Sequence, residues 1–349
     1  MHTMKKILVT GGCGYIGGHT IVDLIDNGFD VISVDDLSKG SMRMMQGVEK
    51  IVRKPVKNYK VNLCDFDDTE TIFIENPDIA GIIHFAAFKS VPESVAEPLK
   101  YFRNNLGSLV NILQCAQNYG VKHFVFSSSC SVYGNAQHLP VEETAPLAEP
   151  ESPYARTKQM GEAMCQDWTK AAEDFNVMLL RYFNPVGAHP SAIIGELQEK
   201  PENLVPVITQ TAIGKRPSMQ VFGTDYDTRD GSCVRDYIHV MDIANAHTRA
   251  LQYMLEGRNE EACEVFNLGT GNGVTVLELI KAFEKVSGQQ LKYELGSRRA
   301  GDVIEVFANN NKAKERLGWE TKYDLDQMMD TAWRWELELK KEAERVQLN

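Results

Sequence analysis

Apolar residues in the first half of the chain fall into short runs, and stretches with a helical spacing of apolar positions separate these runs. Short apolar runs predict buried strands, and the periodic stretches predict helices packed on a sheet. The predicted strands are KKILVT, DVISVDD, a weaker YKVNL, GIIHFAA, HFVFSSS and VMLLRYFN. The predicted helices cover residues 15–27 with Gly28 as cap, 68–75, 98–119, and a segment that begins with Ser152 as N-cap and Pro153 as first residue. This alternation favours a doubly wound α/β fold, with a parallel, Rossmann-like sheet covered on both faces.

The second half of the chain has a different pattern, which begins after Asn184 and Pro185. Residues 185–204 are rich in Pro and Gly and weakly periodic, as is typical of a loop that covers a site. Shorter strands and helices then mix, which predicts a smaller α/β lobe. We expect a first domain at residues 1–184 and a second, substrate-binding domain at 185–349. A segment near residues 236–256, with Asp242 as the expected N-cap of its helix, is a candidate to return to the first domain.

Composition narrows the classes of function. The chain has 349 residues, and a chain of this length usually exceeds what a single hydrophobic core can support. Its net charge is −11, and it has no basic run. This charge argues against nucleic acid and anionic membranes as partners, and no apolar stretch approaches the ~20 residues that a membrane helix needs. The seven cysteines form no C-x-x-C pair, as is typical of reduced thiols in a cytoplasmic protein. No cluster has metal-ligand spacing, so we expect no metal.

A glycine motif joins the first predicted strand to the first predicted helix. Gly11, Gly14 and Gly17 form a G-x-x-G-x-x-G pattern in VTGGCGYIGG. Glycines at such a turn let the backbone approach a pyrophosphate, and the helix N-terminus offers N–H donors. Asp35 and Asp36 end the second strand, where a carboxylate would accept hydrogen bonds from ribose hydroxyls and repel a 2′-phosphate. The motif therefore predicts NAD rather than NADP, although a tight turn and a capped strand end remain as alternatives.

A tyrosine and a lysine lie one helical turn apart in SPYARTK. Tyr154 and Lys158 share a helix face, which suits either two solvated side chains or a proton-transfer pair. Together with the glycine spacing, this tract resembles the extended short-chain dehydrogenase/reductase family, which implies that the pair is catalytic. A tyrosine hydroxyl has an ordinary pKa of about 10, and a nearby ammonium and a positively charged nicotinamide would lower that pKa toward neutrality.

Further tracts narrow this resemblance. HFAAFKSVPESV, NNLGSLVNIL, FSSSCSVYG, LLRYFNPVGAHP, VRDYIHVMD and RRAGD occur in this order and resemble the UDP-glucose 4-epimerases from about residue 5 to about residue 335. The resemblance implies NAD-dependent interconversion of UDP-galactose and UDP-glucose by inversion at the sugar 4-carbon through a 4-keto intermediate. Tyr154 would take the 4-hydroxyl proton, with Ser129 as a relay. Relatives of this kind commonly form dimers, so a homodimer is expected.

The resemblance also assigns binding residues. It implies cofactor contacts from Gly11, Gly14, Tyr15, Ile16, Gly17, Asp35, Asp36, Asn62, Leu63, Phe85, Ala86, Lys89, Asn104, Ser127, Tyr154, Lys158 and Tyr182. It implies contacts to a UDP-hexose from Lys89, Ser129, Tyr154, Asn184, Asn203, Arg235, Arg299, Asp302 and Val306. Arginines suit a diphosphate because their planar fork matches it in two hydrogen bonds. Asn62 departs from the family pattern, where an aspartate is expected, but its amide oxygen can also accept from adenine.

Three questions stay open at this level. Val306 occupies the position that gates sugar size in this family, and a small residue there predicts that UDP-N-acetylglucosamine and UDP-N-acetylgalactosamine are also accepted; the alternative is an ordinary strand residue. A dehydratase is the weaker enzymatic alternative, because Ser129, Cys130 and Ser131 replace the Thr-Asp-Glu run of such enzymes. A catalytically silent NAD-sensing regulator is less favoured still, since the tyrosine and the lysine are both present.

Overall fold

The computed structural model describes residues 4–172, 174–197, 201–298 and 303–347. Its strands are β1 Lys6–Thr10, β2 Asp30–Val34, β3 Asn58–Tyr59, β4 Ile79–His84, β5 His123–Ser127, β6 Asn176–Tyr182, β7 Asn184–Val186, β8 Met219–Phe222, β9 Val234–Arg235, β10 Tyr237–His239, β11 Cys263–Leu268, β12 Val274–Thr275, β13 Tyr293–Gly296 and β14 Glu305–Val306. Its helices are α1 Tyr15–Asp26, α2 Met42–Val52, α3 Phe66–Glu75, α4 Val91–Ala96, α5 Pro98–Tyr101, α6 Gly107–Asn118, α7 Pro153–Ala171, α8 Leu204–Ala212, α9 Val240–Leu255, α10 Val276–Ser287, α11 Asn311–Leu317 and α12 Leu325–Gln347.

A seven-stranded parallel sheet forms the centre of the molecule. Its strand order is β11-β6-β5-β4-β1-β2-β3. Successive residues of β1 point to opposite faces, so that Ile7 and Val9 join one buried cluster and Leu8 joins another. The doubly wound, Rossmann-like fold is therefore confirmed. The order reverses between β1 and β4, which places a crevice at the carboxyl ends of these two strands.

The chain returns to the central sheet after a first excursion into the second lobe. Helix α9 packs against α1, and β11 extends the sheet by pairing with β6. The return thus continues to Leu268, beyond the segment near 236–256 that the sequence suggested. The boundary near residue 184 stays a prediction. The second lobe combines small sheets, such as β12-β9-β14 and β13-β8, with α8, α10 and α12 around a separate apolar cluster.

Several helix ends follow from local sequence, and some expectations were wrong. The Ser152 hydroxyl accepts from the Ala155 amide (3.2 Å) at the start of α7, as predicted. Residues 98–118 form the expected long helix, in which a π-helical stretch at Phe102–Leu106 lies between α5 and α6. Asp242 does not cap α9; the His239 side chain does. The expected strand at YKVNL is reduced to β3, which ends at Tyr59.

Within the described ranges, every helix is too short or too polar to cross a bilayer.

Candidate active site

A cavity of about 1540 Å³ opens at the point where the strand order reverses. Both lobes contribute to its walls. The predicted cofactor and substrate residues that line it are Gly11, Gly14, Tyr15, Ile16, Gly17, Asp35, Asp36, Asn62, Leu63, Phe85, Ala86, Lys89, Asn104, Tyr154, Lys158, Tyr182 and Asn203. Parallel strands end at one edge of the sheet, so residues far apart in sequence come together there.

The glycine loop forms a tight cradle at one end of the cavity. Gly11 has a left-handed φ of +69°, and a Cβ atom on it would lie 2.9 Å from the Ala86 nitrogen. A Cβ atom on Gly17 would lie 2.3 Å from the Gly11 oxygen, so the helix could not approach the loop as closely. Helix α1 begins after Gly14 without a side-chain cap. The residues at this end of the cavity therefore fit a dinucleotide pyrophosphate.

Asp35 lies at the end of β2 with its carboxylate between two loops. It accepts hydrogen bonds from the Cys13 amide (3.0 Å) and the Leu37 amide (2.9 Å). Burial raises the pKa of Asp35, and these two backbone N–H groups act against that rise. The carboxylate thus caps the strand end, as the alternative interpretation held, and it also lines the cavity. The same carboxylate can position the glycine loop and contact a ligand.

The predicted catalytic residues come from two parts of the first lobe, with Tyr154 and Lys158 on α7 and Ser129 after β5. The Tyr154 and Lys158 side chains are buried, and Ser129 is the second residue after β5. The Ser129 hydroxyl lies near enough to Tyr154 to act on the pKa of its phenol. The Lys158 ammonium donates to the Ser127 carbonyl (2.6 Å) and lies 6.0 Å from the centre of the Tyr154 ring. Neither Ser127 nor Ser129 is among the cavity-lining residues.

Burial dominates the charge states of this group. It raises the pKa of Tyr154 above the ordinary value, with the neighbouring Tyr182 acting in the same direction and the Ser129 hydrogen bond opposing it. Burial also lowers the pKa of Lys158 to about 8, against the charge of Glu162. In the protein alone, the tyrosine is therefore neutral at pH 7. The expected lowering of its pKa requires a further positive charge close to the hydroxyl.

The predicted substrate residues are spread over several elements of the second lobe. Arg235 on β9 and Val306 on β14 lie side by side in register, and the charge of Arg235 acts on Cys130, the residue after Ser129. The side-chain oxygen of Asn184 is buried and has no hydrogen-bond partner among the described residues. These three side chains lie outside the cavity lining, and Arg299 and Asp302 lie outside the described residues.

Sequence reasoning missed part of the cavity wall. Lys39 and Arg43 follow β2, and Glu93 lies on α4. Glu196 and Arg216 line the cavity from the second lobe. The only sequence signal for Glu196 was a carboxylate within a Pro- and Gly-rich loop, and carboxylates are common in solvated loops. Its contacts across the cavity depend on the tertiary structure.

The fold and the Tyr154–Lys158 pair define an extended short-chain dehydrogenase/reductase. Residues 8–332 match the family model described as GDP-mannose 4,6 dehydratase. The chain is 46% identical over 331 residues to a UDP-glucose 4-epimerase of Bacillus subtilis, covering 95% of this chain and 96% of that protein. It is thus a member of the UDP-glucose 4-epimerase family.

Solved structures of UDP-glucose 4-epimerases have the same fold as this chain. A UDP-glucose-4-epimerase from Stenotrophomonas maltophila, crystallised with NAD and formylated UDP-arabinopyranose, superposes with a TM-score of 0.93 at 42% identity, covering 97% of this chain and 99% of that chain. A UDP-glucose 4-epimerase from Bifidobacterium longum, in complex with NAD+ and UDP, has a TM-score of 0.91 at 41% identity, covering 95% and 98%.

Proposed function

We propose that this protein is an NAD-dependent UDP-glucose 4-epimerase that interconverts UDP-galactose and UDP-glucose. The observation that carries the proposal is the position of Tyr154 and Lys158, one turn apart on α7 and both at the wall of a cavity that both lobes line, with Ser129 near Tyr154. The epimerases that this chain resembles were solved with NAD and UDP-containing ligands.

The described residues fit NAD at the cavity end formed by the glycine loop. The close approach of Gly11 and Gly17, the uncapped start of α1 and the Asp35 carboxylate match the pyrophosphate and ribose of a dinucleotide. Asn62 and Leu63 would hold the adenine, with Lys158 beside the second ribose. When bound, NAD supplies the hydride acceptor and donor for the sugar 4-carbon.

The chain's own residues would move the proton and hold the substrate. Tyr154 takes the proton of the sugar 4-hydroxyl, and Ser129 is placed to pass it between the sugar and the phenol. Because burial keeps Tyr154 neutral in the protein alone, the reaction needs the positive charge of the oxidised cofactor to form the phenolate. The UDP group would be bound while the keto sugar rotates in the pocket. The residues proposed to bind UDP are Asn184, Asn203, Arg235, Arg299 and Asp302.

One assay tests the proposed activity. Purified protein is incubated with UDP-galactose, without added NAD, and the products are separated. The expected result is UDP-glucose at the equilibrium ratio, because the cofactor is regenerated in each turnover. No conversion, even with NAD supplied, would contradict the proposal.

The same assay separates the alternatives. A dehydratase would release water and accumulate a keto sugar, and a regulatory protein would bind NAD without converting the substrate. Cys130 stands in place of the acid that a dehydratase needs, and burial raises the pKa of its thiol to about 12. A thiol of this kind is a weak proton donor at pH 7, which favours epimerisation.

A second activity, epimerisation of UDP-N-acetylglucosamine and UDP-N-acetylgalactosamine, is proposed from Val306. This side chain is 5% exposed and packs near Cys130 in an apolar cluster. A valine is smaller than a tyrosine and would leave room for an acetamido group on the sugar. Val306→Tyr should abolish conversion of UDP-N-acetylgalactosamine and spare UDP-galactose. Equal loss of both activities would contradict the gate.

We also propose a cytoplasmic homodimer. Apolar residues on α4, on the helical segment that follows it and on α7 are exposed in a single chain, namely Val91, Val95, Leu99, Val110 and Met160. Burial of this surface in a second copy would remove it from water. Light scattering should give twice the chain mass, and Leu99→Asp should give the monomer.

All seven cysteines are free thiols, which supports a reducing compartment. Cell fractionation tests that location.

A further inference from the structure

Glu196 joins the two sides of the cavity through one carboxylate oxygen. The Lys89 ammonium donates to Glu196 Oε1 (3.0 Å), and the Asn203 side-chain amide donates to the same oxygen (2.9 Å). Lys89 follows β4 in the first lobe, whereas Asn203 immediately precedes α8 in the second lobe. All three residues line the cavity. A single acceptor therefore links a cofactor-side cation to a substrate-side amide.

The backbone around Glu196 is held in place from behind. Trp335 on α12 donates its indole N–H to the Glu196 carbonyl (2.9 Å). A Cβ atom on Gly195 would lie 2.6 Å from the Trp335 ring, so the loop lies close against this side chain. Gly195 also forms a β-bridge with Ala188. The carboxylate is thus presented by a fixed part of the loop.

The charge of Glu196 would be unfavourable here without a partner. Its side chain is 8% exposed, beside a cavity that must accept two anionic diphosphates. A buried carboxylate of this kind repels anions and loses hydration unless a cation pairs with it. Burial lowers the pKa of Lys89, but the charge and hydrogen bond of Glu196, together with the charges of Tyr182 and Glu202, outweigh burial, so the net pKa of Lys89 is raised. Lys89 therefore keeps its charge, and its ammonium is held by the hydrogen bond to Glu196.

We infer that Glu196 is a positioning residue. It orients the Lys89 side chain toward NAD and the Asn203 side chain toward UDP, and it thereby couples the two ligand sites. The inference rests on the proposed function, because it takes Lys89 to face the cofactor and Asn203 to face UDP. Each donor is preorganised by the shared oxygen, and each loses this constraint when the oxygen is removed.

Mutant cycles test the coupling by binding alone. The variants are Glu196→Ala, Glu196→Gln, Lys89→Met and Asn203→Ala, with Glu196→Ala combined with each of the last two. Retained NAD is measured after gel filtration, and UDP affinity by calorimetry. Glu196→Ala should raise the Kd for UDP about tenfold and reduce retained NAD severalfold. The effect on UDP should vanish in the Asn203→Ala background, and the effect on NAD in the Lys89→Met background.

The conservative variant separates positioning from a merely structural role. Glu196→Gln keeps an acceptor for Asn203 but removes the charge that pairs with Lys89. It should bind UDP almost as wild type does while retaining less NAD. Glu75→Ala, which breaks the exposed Lys57–Glu75 pair (2.9 Å), is the matched control and should change neither quantity.

Two outcomes would overturn the inference: unchanged binding in both Glu196 variants, or effects of Glu196→Ala that persist in full when its partners are replaced. Conversion of UDP-galactose by the wild type is measured in parallel. Failure of that conversion with intact coupling would overturn the proposed activity alone, whereas conversion without coupling would overturn the role of Glu196 alone.

Discussion

The cofactor half and the substrate half of the cavity are built in different ways. The cofactor half is shaped mainly by backbone: the glycine loop before α1 and the ends of β1, β2 and β4. The substrate half is proposed to consist of side chains from short elements of the second lobe, with Asn203 at the cavity wall and Asn184, Arg235 and Val306 outside its lining. A site made of backbone is sensitive to an added atom, whereas a site made of side chains is sensitive to a removed one.

The largest effect is expected where the two halves meet. Tyr154→Phe removes the hydroxyl proposed to take the substrate proton and should lower kcat by about a thousandfold. NAD retention and UDP affinity should stay near wild type, because the ring and its packing remain. Steady-state rates and calorimetry check this. A fall in UDP affinity comparable to the fall in kcat would assign the hydroxyl to binding instead.

An added methyl group should damage the cofactor half selectively. In Gly17→Ala, the new Cβ atom would lie 2.3 Å from the Gly11 oxygen, so the loop or α1 must move. We expect less than about a tenth of the wild-type NAD content and a loss of about 2 kcal/mol in the free energy of unfolding. Gly107→Ala is the control, since its Cβ would meet only Cys64 at an ordinary 3.7 Å. Equal NAD content in both variants would show that the cradle tolerates the atom.

Removal of a cation should damage the substrate half selectively. Arg235→Ala removes a guanidinium proposed to bind the diphosphate and should raise the Kd for UDP about thirtyfold, with NAD content unchanged. Arg229→Ala is the control, because Arg229 instead pairs with Glu278 at the surface of the same lobe. Loss of NAD in Arg235→Ala would contradict the assignment of Arg235 to the substrate half alone.

The smallest expected effect is a pH dependence beneath the cofactor half. His84 is buried at the end of β4, and burial, aided by the charge of Lys158, lowers its pKa from 6.5 to about 3. Below pH 6.5 the unfolded chain binds a proton that the folded protein excludes, so stability is lost as pH falls toward 3. The advantage of the wild type over His84→Gln in free energy of unfolding should shrink by about 2 kcal/mol between pH 7.5 and pH 5.

Urea titrations at both pH values measure that difference, with the exposed His138→Gln as control. An advantage that does not change with pH would mean that the folded protein takes up the proton at His84.

The two halves also differ in how far sequence could predict them. All predicted cofactor residues except Ser127 line the cavity. The glycine turn and the acids after β2 are encoded by neighbouring residues, and the family resemblance implied the others. Of the described substrate residues, Lys89, Tyr154 and Asn203 line it, whereas Ser129, Asn184, Arg235 and Val306 lie outside the lining. The last three side chains depend on how short strands of the second lobe pair.

Local periodicity was sufficient for the parallel sheet, the start of α7 at Ser152 and the glycine cradle, since each depends on residues within a few positions. Contacts across the chain decided the rest. Asp242 suits an N-cap, yet its carboxylate accepts from the Lys322 and Tyr323 amides, which only the folded chain brings near. Glu196 likewise accepts hydrogen bonds from Lys89 and Asn203 only because the folded chain brings these residues to one cavity. Long-range partners of a polar side chain leave no periodic trace, because they are chosen by packing rather than by neighbouring sequence.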